Sequence, residues 1–182
     1  MKKILVVNVC AERLHELEFV KPVIAILEDN NFSHKTINYR DLKEKDIEEC
    51  RKIIICGTSL ADYEYLKKIN KLNWIKDIDK PILGICAGMQ IIGLIFGGRI
   101  KKKKEIGFFH EDFKEVFLGL RSEQEVYHLH NNYVDFSDIA EFEIYNKGDM
   151  AQAVKHKHQK IYGVLFHPEV RQKDLIKQFC SL

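Results

Sequence analysis

A cysteine lies between two glycines in the segment PILGICAGMQIIGLIFGG, residues 81–98. The residues before Cys86 are typical of a buried strand, and those after it are typical of an apolar helix. Gly84 and Gly88 lack the Cβ atoms that would collide where such a strand and helix cross, which is the pattern of a nucleophile elbow. The first amides of the helix would stabilise a thiolate. We therefore predict that Cys86 is a nucleophile; the alternative is a buried structural thiol in a tight turn.

A nucleophilic thiol needs a base, and the segment IYGVLFHPEV, residues 161–170, contains a candidate. We expect a strand to end at His167, with Pro168 fixing the corner that follows. Glu169 is two residues further on, the spacing at which an extended backbone directs side chains to one side. His167 would take the thiol proton of Cys86 and return it to a leaving group, while Glu169 holds the imidazole. A histidine alone would more simply be a capped surface residue, but the joint pattern favours a Cys-His-Glu relay.

The motifs GICAGMQ and GVLFHPE, in that order, resemble those of the class I, or triad, glutamine amidotransferases. The resemblance extends along the chain, through the strand KIIICG before the elbow, FGG after the elbow helix and a β-rich second half. It implies that Cys86 attacks the side-chain amide of glutamine to form a γ-glutamyl thioester. Ammonia leaves, and water then releases glutamate. No cofactor is expected.

Acyl transfer also needs two N–H donors about 3 Å from the developing oxyanion. Ala87, directly after the nucleophile, would supply one, and Gly57 or Thr58 in the loop CGTSLADYEY would supply the other. An ordinary turn between a strand and a helix is the alternative for this loop. Many relatives have a Gly-Gly-Pro type stretch here, whereas this chain has only Gly57, so we expect that the loop rearranges before catalysis.

The resemblance also implies substrate-binding residues. Gln90, four residues after Cys86 on the elbow helix, resembles a glutamine that helps to bind the substrate. His130, Asn131 and Asn132 align with a segment whose backbone holds the amino and carboxylate groups of the substrate. A half-buried strand would give the same alternation. At position 165 this chain has leucine where many relatives have glutamine.

Other polar clusters are given simpler interpretations. Two His-x-His pairs, at residues 128 and 130 and at residues 156 and 158, could bind zinc, but no acidic or cysteine ligand is evident beside them, so no metal site is predicted. Lys101 to Lys104 are interpreted as a solvated strand edge rather than a phosphate or RNA site. Neither a P-loop nor a G-x-G-x-x-G motif is present.

The elements that must position these residues alternate between strand and helix. Apolar runs at residues 3–9, 52–57 and 81–85 predict buried strands, and HKTINY predicts another. Helical spacing runs from Leu14 to Leu27 and through YEYLKKINKLNWIKDI. We therefore predict an α/β fold, a doubly wound and mainly parallel sheet flanked by helices. After Gly98, the chain is expected to be β-rich with antiparallel hairpins, before a closing helix near Lys173 to Cys180.

Composition sets limits on the possible partners and compartment. With 182 residues and 46% hydrophobic residues, we expect a single glutaminase domain over residues 1–182. The formal charge is +2, from 29 basic and 27 acidic residues, so neither nucleic acid nor a membrane is an expected partner. Charged residues interrupt the first apolar run before it could act as a signal peptide, and five cysteines without a C-x-x-C pair favour reduced thiols in the cytoplasm. Cysteines 10, 50, 56 and 180 are expected to be small buried side chains.

The resemblance implies a glutaminase subunit that takes glutamine and supplies ammonia to a separate synthase subunit. Small glutaminase subunits of two-chain GMP synthases and anthranilate synthases have this size, and a GMP synthase-like subunit is our first choice. One alternative is a γ-glutamyl hydrolase or amidase that uses the same relay without transferring ammonia. Another is a non-catalytic regulatory subunit that keeps the fold, although the intact relay argues against it.

Overall fold

The computed structural model describes residues 3–182. Its strands are β1 (Ile4–Asn8), β2 (His34–Asn38), β3 (Lys52–Ile55), β4 (Ile82–Ile85), β5 (Arg99–Phe117), β6 (Leu120–Asp135), β7 (Phe142–Ile144), β8 (Ala153–His156) and β9 (Ile161–Val164). Its α-helices are α1 (Arg13–Phe19), α2 (Lys21–Asp29), α3 (Glu44–Glu49), α4 (Glu64–Lys67), α5 (Ala87–Ile95) and α6 (Lys173–Ser181). A 3₁₀ helix covers Ile69–Lys76.

Seven strands form one sheet in the order β2-β1-β3-β4-β9-β8-β7. The five strands from β2 to β9 are parallel, and β8 and β7 add an antiparallel edge. Every residue of β1, β3 and β4 is buried, because apolar clusters cover both faces of the sheet. The predicted doubly wound, mainly parallel α/β fold is confirmed. The carboxyl ends of β4 and β9 lie side by side at one edge, where such folds place their sites.

The β-rich second half contains a separate two-stranded antiparallel sheet, made of β5 and β6. Two segments were expected to be distinct strands, but RIKKKK and the first five residues of FKEVFLG belong to the single 19-residue strand β5. Register shifts interrupt its pairing with β6 between Lys102 and Glu105 and between Phe113 and Phe117. These bulges let one long strand bend where the sequence indicates two.

The helices differ from the predictions in three places. The helical pattern from Leu14 to Leu27 divides at Val20, because Pro22 begins a new helix and cannot continue the preceding one. The predicted helix after Tyr63 is mostly 3₁₀, since the asparagines of INKLNWIK disfavour a regular α-helix. Helix α3 was not predicted. The closing helix is confirmed as α6.

The helices of residues 3–182 are all too short or too polar to cross a membrane.

Candidate active site

The predicted elbow is present where β4 meets α5. Cys86 has φ 48° and ψ −104°, a strained conformation for a residue with a side chain. Its N–H donates to the carbonyl of Val164 at 2.8 Å, which ties the elbow to the end of β9. A Cβ on Gly88 would lie 2.2 Å from the carbonyl oxygen of Ile55, and one on Gly84 would lie 2.6 Å from the backbone of Gly88. The two flanking glycines are therefore required by the close crossing of strand and helix.

His167 and Glu169 form a buried pair next to the elbow. His167 Nδ1 lies 2.7 Å from Glu169 Oε1, and the two residues are 2% and 4% exposed. The expectation that a strand ends at His167 is wrong, since β9 ends at Val164. The chain leaves the parallel ladder there, and the N–H of His167 donates to the carbonyl of Tyr127 on β6 at 2.8 Å. The hairpin therefore helps to hold the imidazole in place.

The second nitrogen of this imidazole, Nε2, is buried and makes no hydrogen bond of regular geometry within residues 3–182. Burial opposes the charged imidazolium, but the interactions of the ring with Glu169 and Cys86 outweigh it and hold the pKa of His167 well above its usual range. Gly57 packs against His167 and Cys86, because a Cβ there would lie 2.8 Å from His167 Cε1 and 3.4 Å from Cys86 Cβ. Thus the structure brings together the three residues predicted to form the relay.

The candidate oxyanion donors lie around the same point. Ala87 is the first residue of α5, and amides in the first turn have no carbonyl partner within their helix. Thr58 donates its hydroxyl to Asp62 Oδ2 at 2.7 Å, and the same oxygen accepts the N–H of Ala11 at 2.7 Å. Asp62 therefore holds the loop that carries Gly57 and Thr58 in one position.

The four candidate substrate-binding residues line one cavity together with Cys86 and Ala87. Gln90 Oε1 accepts from the hydroxyl of Tyr65 at 3.0 Å, and its Nε2 donates to the carbonyl of Asn132 at 2.9 Å. Asn131 Nδ2 donates to the carbonyl of Leu60 at 3.2 Å, which connects β6 to the loop after β3. The cavity is only about 20 Å³, room for about one water molecule. The site is assembled, but this cavity is too small for glutamine.

The side chain of His130 faces away from the relay. Its Nε2 lies 3.1 Å from Glu105 Oε2, across the hairpin. Burial and the neighbouring charge of His128 lower the pKa of His130 to about 4, so its ring is neutral near pH 7. A role of His130 in binding the substrate therefore depends on its backbone, in agreement with the resemblance.

The expectation that no acidic residue lies near His128 and His130 is wrong, because Glu105 and Glu111 approach them from β5. The register of the hairpin brings these carboxylates close to the two histidines, and the sequence alone does not reveal that register. The second His-x-His pair, at residues 156 and 158, has a different environment. His156 Nδ1 accepts the backbone N–H groups of residues 158 and 159 at 3.1 and 2.9 Å, which makes this histidine part of a turn.

The remaining polar clusters and thiols follow their simpler interpretations. Lysines 101 to 104 are exposed on β5, and two of them pair with Asp135 and Glu105 of the same hairpin. The four other cysteines are buried, reduced thiols. Burial raises the pKa of Cys10 and of Cys180 to about 11, so both remain protonated near neutral pH.

Known proteins resemble this chain both in sequence and in fold. The sequence profile of the family described as Glutamine amidotransferase class-I matches residues 15–180. A glutamine-hydrolysing GMP synthase subunit of Methanococcus aeolicus is 30% identical over 175 residues, which cover 82% of this chain and 89% of that protein. The GMP synthase of Spiroplasma kunkelii is 31% identical over 110 residues, which cover 58% of this chain and 22% of that protein. This chain therefore corresponds to a minor part of such longer relatives.

Among solved structures, a Thermoplasma acidophilum protein described as a GMP synthase subunit superposes with a TM-score of 0.86 at 25% identity. The superposition covers 100% of this chain and 93% of that one. The Thermotoga maritima glutamine amidotransferase has a TM-score of 0.72 at 18% identity, a likeness of fold.

Proposed function

Since the chain belongs to the class I glutamine amidotransferase family, we propose that it is the glutaminase subunit of a two-subunit GMP synthase. In this role it hydrolyses the side-chain amide of glutamine and supplies the ammonia to a separate synthase subunit. The observation that carries the proposal is the strained Cys86 elbow beside the buried His167–Glu169 pair. The likeness to the Methanococcus GMP synthase subunit, which extends over 89% of that protein, favours a separate synthase chain.

The relay would act in two stages. The raised pKa of His167 means that the thiol proton of Cys86 has already passed to His167 Nε2 before the attack, while Nδ1–H of the ring donates to Glu169. Cys86 Sγ then attacks the amide carbon of glutamine. The tetrahedral intermediate collapses as His167 returns the proton to the leaving nitrogen, which departs as ammonia and leaves a thioester on Cys86. Water, deprotonated by the same imidazole, then attacks the thioester and releases glutamate, and the thiol is restored.

The oxyanion would be held by the amide of Ala87 and by an amide of the loop at Gly57 and Thr58. Removing one such donor costs on the order of 10²- to 10³-fold in turnover. The cavity of about 20 Å³ is too small for glutamine, which supports a resting state in which the site must widen before the substrate enters. The loop after β3 and the segment of β6 at Asn131 close the cavity against each other, so we place the gate at this contact.

A partner that docks over the loop and the elbow would open this gate and receive the ammonia. Coupling would limit the waste of glutamine, because turnover would rise only in the complex. The reduced, buried cysteines are in keeping with work in the cytoplasm.

The test is a native pull-down from the source cell, followed by assays of glutamate and ammonia release by the purified chain. Each co-purifying protein is added with and without its nucleotide substrate, and γ-glutamyl conjugates are assayed beside free glutamine. We expect slow hydrolysis by the chain alone and at least tenfold stimulation by a nucleotide-binding synthase, on the order of the loss of an oxyanion donor. Full turnover by the chain alone, with no stimulating partner, would overturn the coupled subunit in favour of a γ-glutamyl hydrolase.

A further inference from the structure

The hairpin contains a buried group of two imidazoles and one carboxylate that the proposed relay does not use. Glu105, His128 and His130 are 8%, 0% and 2% exposed. One potential ligand atom from each lies within 4.8 Å of the others. Ionisable groups that are taken out of water need a partner that satisfies their charge and hydrogen-bonding capacity. The question is what satisfies these three.

A single extra residue in β5 creates the group. Lys102 is opposite Asn132, but the next pair is Glu105 with His130, so β5 advances three residues while β6 advances two. Without this bulge, Lys104 would be opposite His130. Gly107 is opposite His128, and a Cβ there would have no atom within 4 Å. The bulge thus brings a carboxylate, instead of an ammonium group, to the two imidazoles.

The hydrogen-bond donors in the group do not suffice for its acceptors. His130 Nδ1 lies 3.2 Å from the carbonyl of Lys103, and Nε2 lies 3.1 Å from Glu105 Oε2. A neutral imidazole has one N–H, so donation to one of these acceptors turns a lone pair toward the other. His128 is fully buried, and neither of its nitrogens makes a hydrogen bond of regular geometry within residues 3–182. A cation at the centre would resolve both conflicts.

We propose that Glu105, His128 and His130 bind one divalent transition-metal ion, with zinc as the best match. Ligand atoms at zinc distances in a tetrahedral arrangement are about 3.4 Å apart. Glu105 Oε2 lies 3.1 Å from His130 Nε2 and 3.8 Å from His128 Nδ1, distances on either side of that value. Two imidazoles favour zinc and its neighbours, whereas magnesium and calcium prefer oxygen ligands.

The groups behind the three ligands fit the same role. With a metal bound, the carbonyl of Lys103 would accept from His130 Nδ1–H, which leaves the lone pair of Nε2 for the metal. Glu111 Oε1 lies 3.3 Å from His128 Nε2, on the opposite side of the ring from Glu105. Lys103 Nζ binds Glu105 Oε1 at 2.9 Å and leaves Oε2 free to coordinate. Carboxylates and carbonyls behind metal-bound imidazoles typically set the tautomer and the ring orientation.

The proposed metal site lies next to the cavity beside Cys86. Leu129 lies between the two histidines, and its carbonyl is 3.7 Å from Cys86 Sγ. Asn131 and Asn132, directly after His130, line the small cavity beside Cys86. A bound metal would therefore fix the segment of β6 that forms one wall of the glutamine site, without touching the reacting atoms.

The test uses the full chain with Cys86→Ala, which removes the relay thiol as a competing metal ligand. Chelator-treated protein is titrated with Co²⁺ and followed by absorption, and Zn²⁺ is then added to displace it. We expect one Co²⁺ per chain, with the visible bands of four-coordinate cobalt and without near-ultraviolet thiolate charge transfer. A thiolate band, or no stoichiometric binding, would overturn the proposal.

Variants in the same background locate the site. Glu105→Gln and His128→Gln should weaken Co²⁺ binding by more than about 100-fold, and Glu111→Gln by about 10- to 100-fold. The control is His110→Gln, on the same hairpin but with an exposed side chain near Glu123, which should change affinity by less than about twofold. Circular dichroism checks folding. If His128→Gln fails to fold, the near-isosteric Glu105→Gln decides, and unchanged affinity in that variant would overturn the proposal.

Discussion

The elbow and the hairpin hold buried polar groups in different ways. At the elbow, the backbone does the positioning: a strained Cys86 lies at the end of a strand buried on both faces, and glycines permit the close crossing. In the hairpin, side chains on one face meet across two strands, and their positions depend on register. The parallel sheet therefore fixes Cys86, the proposed nucleophile, within a rigid, apolar frame, whereas the hairpin forms a polar wall held by side-chain contacts.

This difference suggests a division of roles in the proposed mechanism. The sheet would hold the reacting groups, and the hairpin would control the entry of glutamine. The relay depends on adjacent parallel strands whose ends cannot move without breaking the core. The cavity wall depends on a few hydrogen bonds, such as those of Gln90 and Asn131. We expect substitutions at the elbow to lower turnover, and those at the wall to change substrate affinity.

The strongest test of the elbow is Cys86→Ser. We expect glutaminase turnover to fall by about 10⁴-fold or more, measured as glutamate release in the presence of the synthase subunit, because the nucleophile is lost. Labelling by a glutamine-like alkylating analogue should disappear as well.

The matched control for this variant is Cys180→Ala. Cys180 is equally buried, but it lies in the closing helix, and its carbonyl binds Lys52. Turnover per folded molecule should stay within about twofold of the wild type, since a buried alanine replaces a small apolar side chain. Equal losses in the two variants would mean that Cys86 has no special role and that the contrast between elbow and hairpin fails.

A smaller effect is expected from Gly57→Ala, which alters the packing around the relay but removes no reacting group. The new Cβ would lie 2.8 Å from His167 Cε1, so the imidazole must shift. A misplacement on the order of 1 Å can cost about 10²-fold in turnover. Gly148→Ala is the control, because its Cβ would meet only the side chain of Asn146, at 3.5 Å. If kcat is unchanged in Gly57→Ala, the relay is less rigid than its close packing indicates.

The sequence predicts the sheet region much better than the hairpin region. Short β-branched runs closed by glycine, such as KIIICG, favour buried strands, and Gly-x-Cys-x-Gly after such a strand indicates an elbow. The site at Glu105 depends on a one-residue bulge and on a turn with positive φ at Leu118 and Gly119. Bulges shift register without a distinct signal in a single sequence, so the partners of His128 and His130 could not be predicted.

The end of β9 illustrates the same limit within the sheet. Apolar residues continue through Phe166, so the pattern alone extends the strand to His167. The ladder nevertheless stops at Val164, because the chain turns to pair with β6 through the carbonyl of Tyr127. A contact with a distant strand decides this boundary, and local propensity carries no information about it.

A test of the cavity wall is Tyr65→Phe. The lost hydroxyl leaves Gln90 Oε1 buried without its donor, which should destabilise the fold by about 1–3 kcal/mol and raise KM for glutamine more than it lowers kcat. Urea unfolding and initial-rate kinetics give the two numbers. Tyr39→Phe is the control: its buried hydroxyl makes no hydrogen bond within residues 3–182, so its loss should be neutral or slightly stabilising. A larger effect on kcat than on KM would place Gln90 within the relay and not in the wall.

The smallest effect is expected at the base of the hairpin, where Asp135 pairs with Lys101 at 2.5 Å. The hydrogen bond from Lys101, with a second from the N–H of Ser137, lowers the pKa of Asp135 to about 2. A lowered carboxyl pKa contributes stability above its unfolded value of about 3.9 and loses it as pH falls through about 2. The lysine is 54% exposed, so solvent screening limits the pair to about 1 kcal/mol or less.

Asp135→Asn should therefore lower the free energy of unfolding in urea by about 1 kcal/mol or less at pH 7, and the difference from wild type should vanish only below about pH 2. Asp79→Asn, at an exposed position before β4, controls for the loss of one negative charge and should leave stability unchanged at both pH values. A loss at pH 7 of about 3 kcal/mol or more would exceed what an exposed pair can supply. In that case the base of the hairpin would be as firmly held as the elbow, and the contrast between the two regions would apply only to the segment beside the cavity.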